Sequence, residues 1–170
     1  IGTKAGFSQK QEASKWELRQ TAVVVLLLLV VGFLAYGLFF APALFMDDWT
    51  SVVERIVTDN AQWLDLSQRR PLLFSTFLLQ NQILGLNIPA YYVSLWLLYV
   101  VMAFLLYGII SELPLPYAGL FGTSTALLFL VYPTNYTHMW LIQFGIYCAT
   151  VASLFYGYLL LRYAQGAGWI

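Results

Sequence analysis

Apolar residues run without a charge from Thr21 to Met46, and from Pro71 to Leu161 they are interrupted by a single charged side chain, Glu112. A helix of about 20 residues crosses the hydrocarbon core of a bilayer, so the first run predicts a span near 21–43. In the second run the Pro114/Pro116 turn and the Tyr132-Pro133 turn break the pattern. They predict spans near 89–111, 117–132 and 139–162. The first span is too long for a signal-peptide core and is expected to stay as an anchor. Ahead of it, the tail 1–20 carries Lys4, Lys10, Lys15 and Arg19 against Glu12 and Glu17, which the positive-inside rule places in the cytoplasm. The expected fold is an all-α, polytopic transmembrane helical bundle with a cytoplasmic tail (1–20) and one transmembrane domain (21–170).

The segment 44–88 reads as an outer loop. It gathers Asp47, Asp48, Glu54, Arg55, Asp59, Asp65, Arg69 and Arg70. Within it, Ser51-Val-Val-Glu54 has the capping-box pattern, and Val52, Val53, Ile56 and Val57 share one helical face, so a short helix is expected to lie on the membrane surface. Pro71 to Leu86 has the length of a short span but carries Gln80, Asn81 and Gln82 and ends at Gly85. Parity decides its role. If it crossed, Arg162 would end outside; if it lies in the interface, Arg162 ends inside with the basic tail, as the charge rule prefers. Four spans follow, with Pro71 to Leu86 as a juxtamembrane or re-entrant helix. Gly119, Gly122, Ser124 and Thr125 then give the third span a small-residue face for close packing.

Composition narrows the class. The chain is 61% hydrophobic and 18% aromatic, with 8 basic and 8 acidic residues in 170, whereas a soluble domain carries about a quarter charged residues. So apolar a chain is not disordered, and its zero net charge offers nothing to nucleic acid. Cys148 stands alone in an apolar run, where a cysteine packs as a small hydrophobe. The chain starts at Ile1, and it is expected to be a segment of something longer.

Few residues are suited to chemistry. Asp47 and Asp48 follow the first span; they are either a solvated helix end, with Asp48 as a cap, or a general base or metal ligand at membrane level. Arg69 and Arg70 before Pro71 are ordinary interfacial arginines or a fork for a lipid phosphate. His138, the lone histidine, falls in the second outer loop, 132–138, as a structural or catalytic group. Asn135-Tyr136-Thr137 matches the glycosylation sequon, but lies against the membrane. Trp49, Trp63, Tyr91, Tyr92, Tyr136 and Trp140 sit near span ends, as an aromatic belt does.

The order of these features resembles the polytopic glycosyltransferases of the GT-C superfamily, most closely the protein O-mannosyltransferase-like branch. The resemblance covers roughly residues 21 to 160. It rests on Met46-Asp47-Asp48-Trp49, on Arg70-Pro71-Leu72 leading to Leu84-Gly85-Leu86-Asn87, and on Ala126 to Pro133 followed by Trp140. It implies transfer of a sugar from a polyprenyl-phosphate carrier to an acceptor on the outer face of the cell membrane. In that family an aspartate of the first outer loop acts as base or holds a divalent metal. The matching positions are Asp47 and Asp48, with Asp47 turned toward the cavity and serving as the ligand if a metal is used. Arg69, Arg70 and His138 are the substrate-side candidates.

Relatives in that branch carry His before the proline of the second outer loop and an acidic residue after it, where this chain has Tyr132 and Thr137. Four spans also make only part of the superfamily's conserved module, so the chain alone is expected to be inactive. Those features motivate a second expectation: a non-catalytic integral subunit packed with lipids and other membrane subunits.

Overall fold

A computed structural model describes residues 19–37, 71–85, 87–132 and 144–166. Five helices and no strand occur among the described residues. α1 covers 19–32 and continues into a π-helical turn, Phe33–Gly37. α2 is Pro71–Leu84, α3 is Ile88–Ser111, α4 is Ala118–Val131 and α5 is Phe144–Gly166. The all-α class is thus present.

Local chemistry sets the boundaries. α2 stops at Gly85, whose φ of 55° is the left-handed conformation of a helix C-terminus, and the Gly85 N–H donates to the Asn81 carbonyl at 2.9 Å. Two residues later Asn87 caps α3, its side chain accepting from the Ala90 N–H at 3.3 Å with a proline in the first turn. α3 ends at Glu112, whose N–H donates to the Gly108 carbonyl at 3.2 Å. The chain reverses over Leu113 to Pro116, and Tyr117 enters α4 at φ 60°.

Packing fixes the direction of each helix. Leu28 of α1 lies in a core with Tyr99, Val100, Met102 and Ala103 of α3 and Ala126 and Leu130 of α4, with Val24 against its edge. One turn further along α1, a Cβ on Gly32 would stand 3.1 Å from Trp96 Nε1 and 3.2 Å from Val100 Cγ2. α1 therefore runs antiparallel to α3. α4 also runs antiparallel to α3: Gly122 meets Tyr107 and Ser111 near its start, and Phe129 stacks on Tyr99 near its end at a centroid distance of 4.9 Å. α5 runs parallel to α3, with Tyr147 edge-on to Tyr99, Tyr158 beside Gly108 and Arg162 on Glu112.

The lengths are unequal. α3 and α5 are long and apolar enough to cross a membrane, whereas Arg19–Ala35 and Ala118–Val131 are shorter apolar helices. At 1.5 Å per residue α4 covers about 21 Å, against about 30 Å of hydrocarbon. Two of the four expected spans thus meet the length criterion. The small-residue face divides as well. Gly122 is buried against α3, while Ser124 and Thr125 are exposed and nothing lies within 4 Å of a Cβ on Gly119. Close approach is confined to one glycine rather than spread along a stripe.

Candidate functional site

The helix directions give the bundle two unlike ends. At one, the start of α1, the end of α3, the start of α4 and the end of α5 come together. Arg162 Nη1 meets Glu112 Oε1 at 2.5 Å there, and Gln165 Nε2 donates to the Glu112 backbone carbonyl. The opposite end holds the last turn of α2, the start of α3 and the start of α5, where Tyr91, Tyr92 and Leu95 pack with Leu84, Ile88, Phe144 and Tyr147. α1 and α4 finish at this end too. The segments 38–70 and 133–143, which follow α1 and α4 in the chain, are outside the described residues.

Those segments carry the residues singled out from the sequence. Asp47, Asp48, Arg69, Arg70 and His138 lie outside the described residues, as do the helix expected from Ser51 and the Asn135 sequon. Among the described residues no group of three or more His, Cys, Asp or Glu could hold a metal ion.

What the described residues do place at that end is a polar cluster between α2 and α3. Gln80, 4% exposed, donates from Nε2 to Ser94 Oγ at 3.0 Å. Ser94 Oγ donates in turn to the Tyr91 carbonyl at 2.7 Å. The Tyr91 hydroxyl lies 2.6 Å from Asn81 Oδ1 and 2.9 Å from the Gly85 carbonyl. Gln80 Oε1 and Asn81 Nδ2 are buried without a hydrogen-bond partner. In apolar surroundings such groups are costly unless paired, so the cluster both docks α2 and stores an unmet demand for hydrogen bonds.

In the sequence, Gln80 and Asn81 read only as interruptions of an apolar run, and Tyr91 and Tyr92 as part of an aromatic belt. Both tyrosines are in fact buried inside the protein, Tyr91 completely. The available signal was spacing. Tyr91 and Ser94 are three residues apart on one face of α3, one helical turn from the Gly85 break, where a preceding helix folds back.

Compared with protein families, curated proteins and solved structures, the chain matches none.

Proposed function

We propose that the chain is an integral membrane protein of four spans and forms the N-terminal part of a GT-C-type glycosyltransferase. It would move a sugar from a polyprenyl-phosphate carrier to an acceptor at the outer face of the cell membrane. The observation that carries this reading is the antiparallel course of α1 and α3. If both helices cross the bilayer, that course requires an even number of crossings by the chain between them. The eight charges between Asp47 and Arg70 make zero the number that costs least. The loops bearing Asp47/Asp48, Arg69/Arg70 and His138 then share the outer face, while the basic tail, the Glu112 turn and Arg162 share the cytoplasmic one.

In this reading Asp47 is the base toward the acceptor or the ligand of a divalent metal, Asp48 its neighbour, and Arg69 and Arg70 hold the carrier phosphate. The test is a transfer assay on the full-length protein with a polyprenyl-phosphate sugar. Asp47→Asn and Asp48→Asn should each reduce turnover and the double variant should abolish it. Undiminished activity in the double variant removes the proposed centre.

One observation favours a second reading, a non-catalytic subunit of a larger membrane assembly. α5 is poorly covered: Gly145 is its one buried residue, and Phe155, Tyr156, Leu159, Leu160 and Tyr163 are exposed along it. Large aromatic side chains are common anchors at protein interfaces. Stoichiometric co-migration with other subunits on purification from native membrane, without bound carrier lipid, would select this reading.

A further inference from the structure

We propose that α2 is a hinged lid that docks on the α3/α5 end of the bundle through Gln80 and Asn81 and swings about Gly85. The argument begins with what the two amides do when docked. Each makes one hydrogen bond to a group that has another contact available. Ser94 Oγ donates to the Tyr91 carbonyl, and the Tyr91 hydroxyl can donate to the Gly85 carbonyl. Neither amide is needed to satisfy its partner, yet each leaves one polar atom buried and unpaired, Oε1 on Gln80 and Nδ2 on Asn81. Leaving a buried polar atom unpaired costs more than a typical hydrogen bond gains. The docked arrangement is therefore under-satisfied at its own contact, and an apolar side chain at position 80 would hold α2 down better. The two amides gain full pairing only when α2 lifts and water or lipid head groups reach them.

The geometry supplies the pivot. Gly85 has the positive φ that a glycine adopts at no steric cost, and a Cβ there would meet nothing within 4 Å. Gln80 and Asn81, near the end of α2, hydrogen-bond to Ser94 and Tyr91 of α3. Leu79 and Ile83 of α2 are exposed, while its docked face covers the cluster of Tyr91, Tyr92 and Leu95, against which Leu84 packs. Such a lid would serve a transferase or an assembly subunit alike.

The test is hydrogen–deuterium exchange on the whole chain in lipid nanodiscs, wild type against Gln80→Leu and Gln80→Met. The α2 amides of the wild type should exchange faster than those of the middle of α3 and independently of them. Gln80→Leu should slow α2 exchange about tenfold, because it removes the unpaired acceptor while Ser94 keeps its bond to the Tyr91 carbonyl. Exchange in α2 that is unchanged or faster in that variant overturns the proposal, as does a wild-type α2 protected to the same degree as α3. Should Gln80→Leu fail to fold, Gln80→Met preserves side-chain length without a hydrogen-bonding amide, and the same slowing or its absence decides.

Discussion

Arg162 reaches across 50 residues of sequence to place Nη1 2.5 Å from Glu112 Oε1, and Gln165, one turn further on, donates to the carbonyl of the same glutamate. Glu112 is the C-cap of α3, so α5 pins the end of α3 by its side chain and its backbone together. A free carbonyl at a helix C-terminus is otherwise left to water. The pair also unites the one charged residue between Pro71 and Leu161 with the first charge after it.

Charge reversal tests the pairing. Glu112→Arg and Arg162→Glu should each lower the melting temperature of the purified protein by a few degrees, and the combined reversal should recover most of the loss. If the double variant melts as low as the two losses combined, the two residues act independently and the pair does not hold α3 to α5.

Topology gives the second prediction. With Cys148 replaced by Ser, cysteines at Leu115 and Tyr163 should react with an impermeant thiol reagent from the same side of the membrane, and a cysteine at Gln62 from the opposite side. Leu115 and Tyr163 flank the end marked by Glu112 and Arg162. Labelling of Gln62→Cys and Tyr163→Cys from one side would overturn the four-span arrangement and restore Pro71 to Leu86 as a crossing helix.

Two glycines of α4 should behave in opposite ways. A Cβ on Gly122 would stand 2.9 Å from the Tyr107 carbonyl and 2.9 Å from Ser111 Oγ, and the backbone atom cannot turn aside. Gly122→Ala should therefore push α3 and α4 apart and destabilise by about 1–3 kcal/mol. Gly119→Ala meets nothing and should be neutral or stabilising by up to about 1 kcal/mol, since alanine loses less entropy in a helix. Equal effects in thermal or denaturant unfolding would remove Gly122 as the point of close approach.

Tyr117 holds φ 60° while its side chain is 79% exposed. A left-handed conformation costs a residue with a Cβ roughly 1–2 kcal/mol, and little packing is lost when an exposed ring goes. Tyr117→Gly should raise stability by about 1 kcal/mol in the same measurement. A loss of stability would mean that the ring is held by its surroundings.

Much of this fold is legible along the chain, and the reasons are local. Gly85 ends α2 because only a residue without a Cβ takes the left-handed turn freely, and Asn87 with Pro89 starts α3 because one caps and the other lacks an N–H to waste. The Pro114/Pro116 turn divides the remaining apolar run because proline interrupts the helical ladder, and α4 stops at Val131, two residues ahead of Pro133. The polar cluster was not legible in the same way. Gln80 and Asn81 carry no mark of their partners, which lie on the next helix, and an apolar stretch buries as readily against lipid as against protein. Tyr91 and Tyr92 show the same ambiguity, since a tyrosine near a helix end suits an interface and a core equally.

Amino-acid order alone determined that this chain is helical, where its helices break and which stretches are too apolar for water, because propensity, capping and charge act within a few residues. The tertiary structure decided which helices run side by side in the same direction, that Gly122 rather than its small neighbours is the point of contact, and that Glu112 belongs to Arg162. It also turned Gln80 and Asn81 from interruptions into the seat of α2. Those outcomes depend on which apolar face meets which, and a helix that is apolar all round does not announce its partner; shape and a few buried polar atoms make the choice.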